Sequence, residues 1–170
     1  MRLPSRLLLL SALLVLAGEA FAAAPPGQGR DAFLDRLAGR WTLVGRVHDA
    51  PAHYEAVGRW ALADGWLRLA MVDKSKADGY VAEVYFGRDA KSGDYVVHWL
   101  DRFGAAGARV VATGQREGDT LVFTFPYADG AFRDTLTLPA GGHGGTLLLE
   151  SATENGGWST FASFRMGRAR

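Results

Sequence analysis

Few side chains in this sequence are suited to chemistry, and most of those few are poorly placed for it. The chain has four histidines and no cysteine, so disulfides, thiolate zinc sites and cysteine nucleophiles are excluded. His48 and His53 flank one turn and could share a metal, but two histidines make a weak site, and no metal is expected. Glu83 and His98 fall opposite one another if the 87–93 turn is symmetric. Alternation puts both on an outward face, where such a pair is a surface cross-strand contact. Gly141-Gly142-His143-Gly144-Gly145 is rich in glycine but precedes a strand, so no helix N-terminus is there to hold phosphate. Serine elbow, Walker motif and paired metal-ligand runs are all missing. No catalytic residue is assigned. What remains is recognition: aromatic side chains and a single carboxylate, Asp134, that alternation places among apolar neighbours.

The elements that must position these residues follow from periodicity. Arg2 and Arg6, the apolar run Leu7 to Leu16 and the small-residue site Ala20-Phe21-Ala22 read as a cleavable signal peptide over 1–22. The run is shorter than the roughly 20 residues a bilayer span needs, and Leu16-Ala17-Gly18-Glu19 has Glu where a lipoprotein needs Cys. A periplasmic or secreted protein, without lipid or a stable membrane anchor, is expected. Cleavage after Ala22 leaves 148 of the 170 residues, the size of one domain. Of 19 basic and 18 acidic residues, Arg2, Arg6 and Glu19 precede the cleavage point, so 17 of each remain. Without a basic stripe, nucleic acid is not an expected partner.

Residues 23–30 read as a flexible leader, and 31–170 as the folded domain. Asp31 is placed to cap a short helix over 32–38. After Gly39 the apolar period becomes two, in runs separated by Gly, Asp and Asn turns. These give ten strands: 41–48, 53–62, 66–73, 80–86, 94–101, 109–115, 119–127, 131–138, 146–154 and 158–166. Tight turns make them an all-β, antiparallel up-and-down meander, and closure into a single barrel removes the exposed edges. Centring the turns pairs Trp60 with Leu69, Ala112 with Phe123, Phe123 with Leu136, and Leu149 with Ala162. Trp41, Leu43, Leu69, Val84, Val97, Phe123, Leu136 and Phe164 then face inward. Arg46, Arg59, Arg68, Glu83, His98, Arg133, Glu150 and Arg165 face out.

The segment Phe33-Leu34 followed by Leu37-Ala38-Gly39-Arg40-Trp41 resembles the short helix and G-x-W opening of lipocalin-type (calycin) barrels. Gly87-Arg88-Asp89 and Tyr95-Val96-Val97-His98-Trp99-Leu100-Asp101 are similar to the DUF1579 group of lipocalin-like bacterial proteins. The resemblance covers about residues 33–166. It implies that Trp41 plugs the closed end, that a late arginine (Arg165 or Arg168) packs across it, and that a pocket exists; it brings no reaction. The sequence departs from fatty-acid-binding proteins, which place a helical lid where this chain has only Asp49-Ala50-Pro51-Ala52. Haem barrels of nitrobindin type use a histidine late in the chain, and the last two strands here contain none, so no cofactor is expected.

If Trp41 marks the closed end, the opposite mouth collects Tyr54, Met71, Tyr80, Trp99, Phe125, Phe132 and Asp134, with Asp101, Tyr127, Ser151 and Trp158 at its edge. Apolar walls with sparse polar anchors are usual for small-molecule pockets, though so many aromatics can also fill a barrel. Asp134 is expected inward, opposite Phe125, unless a bulge near Gly130 turns it out or it lies at the wet rim. A buried carboxylate needs a partner or takes up a proton. The leading expectation is a binder of a small, mostly apolar molecule at the mouth. The alternatives are an enzyme using Asp134, Asp101 or His98 in the same pocket, and a structural or partner-binding barrel with no ligand.

Overall fold

The computed structural model describes residues 29–169; the expected signal peptide (1–22) and residues 23–28 of the expected leader lie outside the described residues. A short helix, α1 (Ala32–Asp35), precedes ten strands. In chain order these are β1 (Gly39–Val47), β2 (Ala50–Ala61), β3 (Trp66–Asp73), β4 (Val81–Arg88), β5 (Tyr95–Asp101), β6 (Ala112–Glu117), β7 (Thr120–Phe125), β8 (Phe132–Thr137), β9 (Gly144–Ala152) and β10 (Trp158–Arg168). Each pairs antiparallel with its sequence neighbours, and β10 returns to pair with β1, closing the barrel. An even number of antiparallel strands lets the first and last meet in the right sense.

Period-two alternation fills the interior. Trp41, Leu43, Leu69, Val84, Val97, Phe123 and Leu136 are each at most 2% exposed. None of the charged residues assigned to the outer face is buried.

The helix closes one end. Asp31 caps it, its Oδ1 accepting from Phe33 N at 3.0 Å and Leu34 N at 2.9 Å. The helix is shorter than the expected 32–38. Beyond Asp35 the chain tightens into i→i+3 bonds, Leu37 N to Leu34 O at 2.9 Å and Ala38 N to Asp35 O at 3.2 Å. Gly39, at φ +114°, then turns it into β1, a conformation glycine adopts without steric cost. Phe33, Leu34 and Leu37 point into the barrel and are buried. Polar contacts from several strands pin the plug. Trp60 Nε1 donates to Asp35 at 2.6 Å, Tyr95 OH to Asp31 at 3.1 Å, and Arg36 to Asp119 at 2.5 Å. Gly58 makes room for it: a Cβ there would stand 2.1 Å from the Leu37 carbonyl oxygen, so no larger residue lets the last helical turn lie on β2.

Trp41 sits beneath this plug, 1% exposed, its Nε1 donating to Leu37 O at 2.8 Å. The Arg168 guanidinium lies 4.0 Å from the centre of its ring and donates to the Arg36 carbonyl at 2.7 Å and to that of Ala38. Of the two late arginines, Arg168 is therefore the one that crosses the closed end.

Register differs from the expectation in a systematic way. Trp60 pairs with Leu67, Gly114 with Phe123, Phe123 with Asp134, and His98 with Tyr85. Each of these pairings is displaced by two residues, which leaves its side chains on their expected face, while Leu149 meets Ala162 as expected. The cause is turn length. The β2–β3 connection spans four residues, three of them (Leu62, Ala63 and Asp64) at positive φ, where two had been expected. Glu83 consequently meets Arg68 and Tyr85 on the outer face, while His98 Nε2 contacts the Ala108 carbonyl at 2.7 Å. The expected Glu83–His98 pair does not form.

Candidate functional site

The end opposite α1 is open and hollow. A cavity of about 960 Å³ occupies it, set by the ends of the odd strands and the starts of the even ones. Tyr54, Met71, Tyr80, Trp99, Phe125, Phe132 and Asp134 all border this one space. Leu43, Leu147, Leu149 and Phe164 also line it, lying further along their strands from the mouth. The aromatic rings interlock edge to face, with Tyr54 5.1 Å from Phe164 and 6.2 Å from Tyr80 between centroids, the arrangement their quadrupoles favour. Along alternate positions of β7 and just beyond it, Phe123, Phe125 and Tyr127 form a ladder, the last two stacked at 5.7 Å.

One expected mouth residue, Trp158, is displaced, and an unassigned one, Phe161, takes a place in the wall, both through one irregularity. Phe161 has no partner between Thr160, which faces Glu150, and Ala162, which faces Leu149. This β-bulge reverses the alternation of β10. Phe161 enters the cavity wall, where it meets the Phe132 ring at 5.2 Å. Trp158, expected at the mouth, instead turns outward and lies 4.3 Å from the Arg133 guanidinium. The consecutive apolar pair Phe161-Ala162, a break in strict alternation, is the signal that marks the bulge. The rim loops 74–79 and 102–111 also contribute where strand patterns are silent. Arg102 donates to the Asp78 carbonyl and, at 2.8 Å, to that of Gly79, tying the two loops together beside the mouth. Phe103, 77% exposed, leans over Tyr80 at 5.9 Å.

Several polar groups of the cavity bond to one another or to adjacent loops. Trp99 Nε1 donates to Tyr80 OH at 2.7 Å, and Tyr80 OH donates to Asp101 at 3.0 Å. Burial, with Asp101 and Tyr54 adding to it, pushes the Tyr80 hydroxyl far above its ordinary pKa, so it stays a neutral donor. Burial also raises Tyr54, helped by the Asp73 charge. For Asp73 burial pulls upward, but hydrogen bonds from the Ser75 hydroxyl and backbone N–H outweigh it and hold the carboxyl below its usual range.

Asp134 is the exception. It faces inward, opposite Phe123 on β7 and Leu149 on β9, and is 1% exposed. Its Oδ1 has no hydrogen-bond partner among the described residues. The neighbouring cation, Arg133, projects from the other face and pairs with Glu150 at 2.7 Å. Burial, with the Glu150 charge adding to it, pushes Asp134 up to about 8. That shift favours the protonated, neutral acid in this apolar wall.

What the arrangement offers chemically is an apolar wall with one unpaired carboxyl. His98 is on the outer face and Asp101 is committed to Tyr80, so neither stands beside Asp134 as a second catalytic group. No cluster of three metal-ligating side chains occurs among the described residues, and His48 packs edge-on against Phe161 at 4.5 Å.

No protein-family model and no curated protein matches the chain. Among solved structures it is similar to Rv2717c from M. tuberculosis, at 15% identity and a TM-score of 0.58, over 84% of this chain and 100% of that one. At that identity the likeness is one of fold: the same barrel architecture, carried by a largely different sequence.

Proposed function

We propose that this protein is a binding module, a lipocalin-like barrel of the DUF1579 kind that holds a small, mostly apolar molecule at its open end. The observation that carries this is the cavity of about 960 Å³, walled by aromatic and aliphatic side chains with few polar groups. Its size falls in the usual range for small-molecule sites, roughly 300–1,000 Å³. A catalytic role would need a second group beside Asp134, whose in-register neighbours are Phe123 and Leu149.

The test is titration with an environment-sensitive apolar dye such as N-phenylnaphthylamine. Native protein should enhance its fluorescence saturably. Trp99→Ala should weaken binding about tenfold, the scale of losing one aromatic wall contact, with an unchanged circular dichroism spectrum. No saturable signal across a set of apolar dyes would leave the barrel a structural scaffold.

We also propose that the protein works outside the cytoplasm, on the strength of the basic start, short apolar run and Ala20-Phe21-Ala22 site. N-terminal sequencing of protein from the envelope fraction should find a chain beginning near Ala23 or Pro25. An intact Met1 on cytoplasmic protein would overturn it.

A further inference from the structure

The unpartnered carboxyl in the cavity wall points to the kind of molecule the cavity takes. Asp134 is 1% exposed, and its Oδ1 meets no donor or acceptor. Buried polar groups are ordinarily hydrogen-bonded, and leaving one unmade costs stability. Tyr80, Trp99 and Asp73 make bonds within the protein, Tyr80 to Asp101, Trp99 to Tyr80 and Asp73 to Ser75. Among the described residues, Asp134 Oδ1 is the buried side-chain atom left for something that comes from outside.

The surroundings decide what that is. β7 presents Phe123 and β9 presents Leu149 in register with Asp134. The charged groups nearest it are Glu150 on β9, which repels a negative charge, and Arg133 on its own strand, which turns outward and is occupied by Glu150. Tyr127, just past β7, is held neutral by burial, with the Asp134 charge adding to the effect. An ammonium ion seated here would have three N–H groups to satisfy, and in register with the one carboxylate stand only Phe123 and Leu149. A buried ion pair stabilises only where further hydrogen bonds complete both ions. A neutral acid needs only one acceptor.

We propose, resting on the binding role above, that Asp134 is the polar anchor of the cavity. The class of ligand it selects is a neutral, largely apolar molecule bearing an acceptor oxygen, a carbonyl or an ether, to which the carboxyl donates a hydrogen bond. The geometry sets apolar body against aromatic wall and oxygen against Asp134. Because the donor is lost when the carboxyl ionises, selection for the oxygen fades as pH rises through about 8.

Three probes of matched shape test this: acetylnaphthalene, ethylnaphthalene and naphthylethylammonium. The affinity ratio of ketone to hydrocarbon should be about tenfold higher in native protein than in Asp134→Leu, the scale of one net hydrogen bond between buried groups. Taking the ratio between variants cancels the different hydration of the probes. In native protein the ratio should fall above about pH 8. In Asp134→Asn, whose amide N–H donates at every pH, it should stay high and flat. Hydrocarbon binding with no ketone preference, or a preference that survives in Asp134→Leu, overturns the anchor and leaves the apolar pocket standing. Tighter binding of the ammonium probe than of the ketone at neutral pH overturns the ligand class. Failure of all three probes to bind overturns both the anchor and the binding role beneath it.

Discussion

Replacing Asp134 with Asn is expected to stabilise the protein on the order of 5 kcal/mol at about pH 9 and to change little at about pH 4. The unfolded chain releases this proton near the ordinary value of 3.8, whereas the folded chain keeps it until about 8. Between those values the folded state holds one more proton than the unfolded state, so raising the pH favours unfolding. A gap of about four units at roughly 1.4 kcal/mol each gives the expected total. The stability contributed by neutral Asp134 is thus complete below about pH 4 and gone above about pH 8. An amide of the same shape cannot ionise and escapes the loss. Carboxylates held below their usual range, Asp73 and Glu83 among them, act in the opposite sense, adding stability that is lost on acidification. They do so equally in both proteins, so the difference isolates Asp134. Urea titrations from about pH 4 to pH 9 would read it directly. Parallel pH curves for native protein and variant would show that the carboxyl is paired or solvated, contrary to its burial here.

Trp41→Ala should lower stability by roughly 3–5 kcal/mol, the range for removing a large buried aromatic. Three losses combine. The ring fills the floor under α1 at 1% exposure, its Nε1 satisfies the Leu37 carbonyl, and its face supports the Arg168 guanidinium. Trp41→Phe should cost less, since it keeps much of the volume and loses the N–H. Dye binding well below the melting temperature should survive in both, because Trp41 is not among the residues lining the open-end cavity. A melting temperature unchanged by Trp41→Ala would mean that the closed end is held by the polar contacts of α1 alone.

Facing was readable in the sequence because it depends only on parity. A slip of two residues, as between the expected Trp60–Leu69 and the observed Trp60–Leu67 pairing, moves no side chain across the sheet, so facing survives where the partners change, and Leu149 meets Ala162 as expected. Turn length sets the partners, and it depends on backbone conformations such as the left-handed run Leu62-Ala63-Asp64 that non-glycine residue types do not announce. Trp158 left the mouth for a different reason: a single unpaired residue, Phe161, changes the parity itself. Asp134 was legible as an inward carboxylate. Its isolation was not, since that required knowing that Arg133 is taken by Glu150 on the other side of the strand.

The closure of β1 on β10 has a consequence for how the molecule is made. Ala38 and Arg168, which meet at the closed end, are 130 residues apart in the chain. The nine other strands are therefore synthesised before the one that completes the barrel. Until then β1 has only one of its two neighbours, and α1 lacks the arginine that fastens it. Nine of the ten strand pairings join neighbours in sequence and can form in turn, so closure of the barrel waits on a single distant pairing, that of β10 with β1.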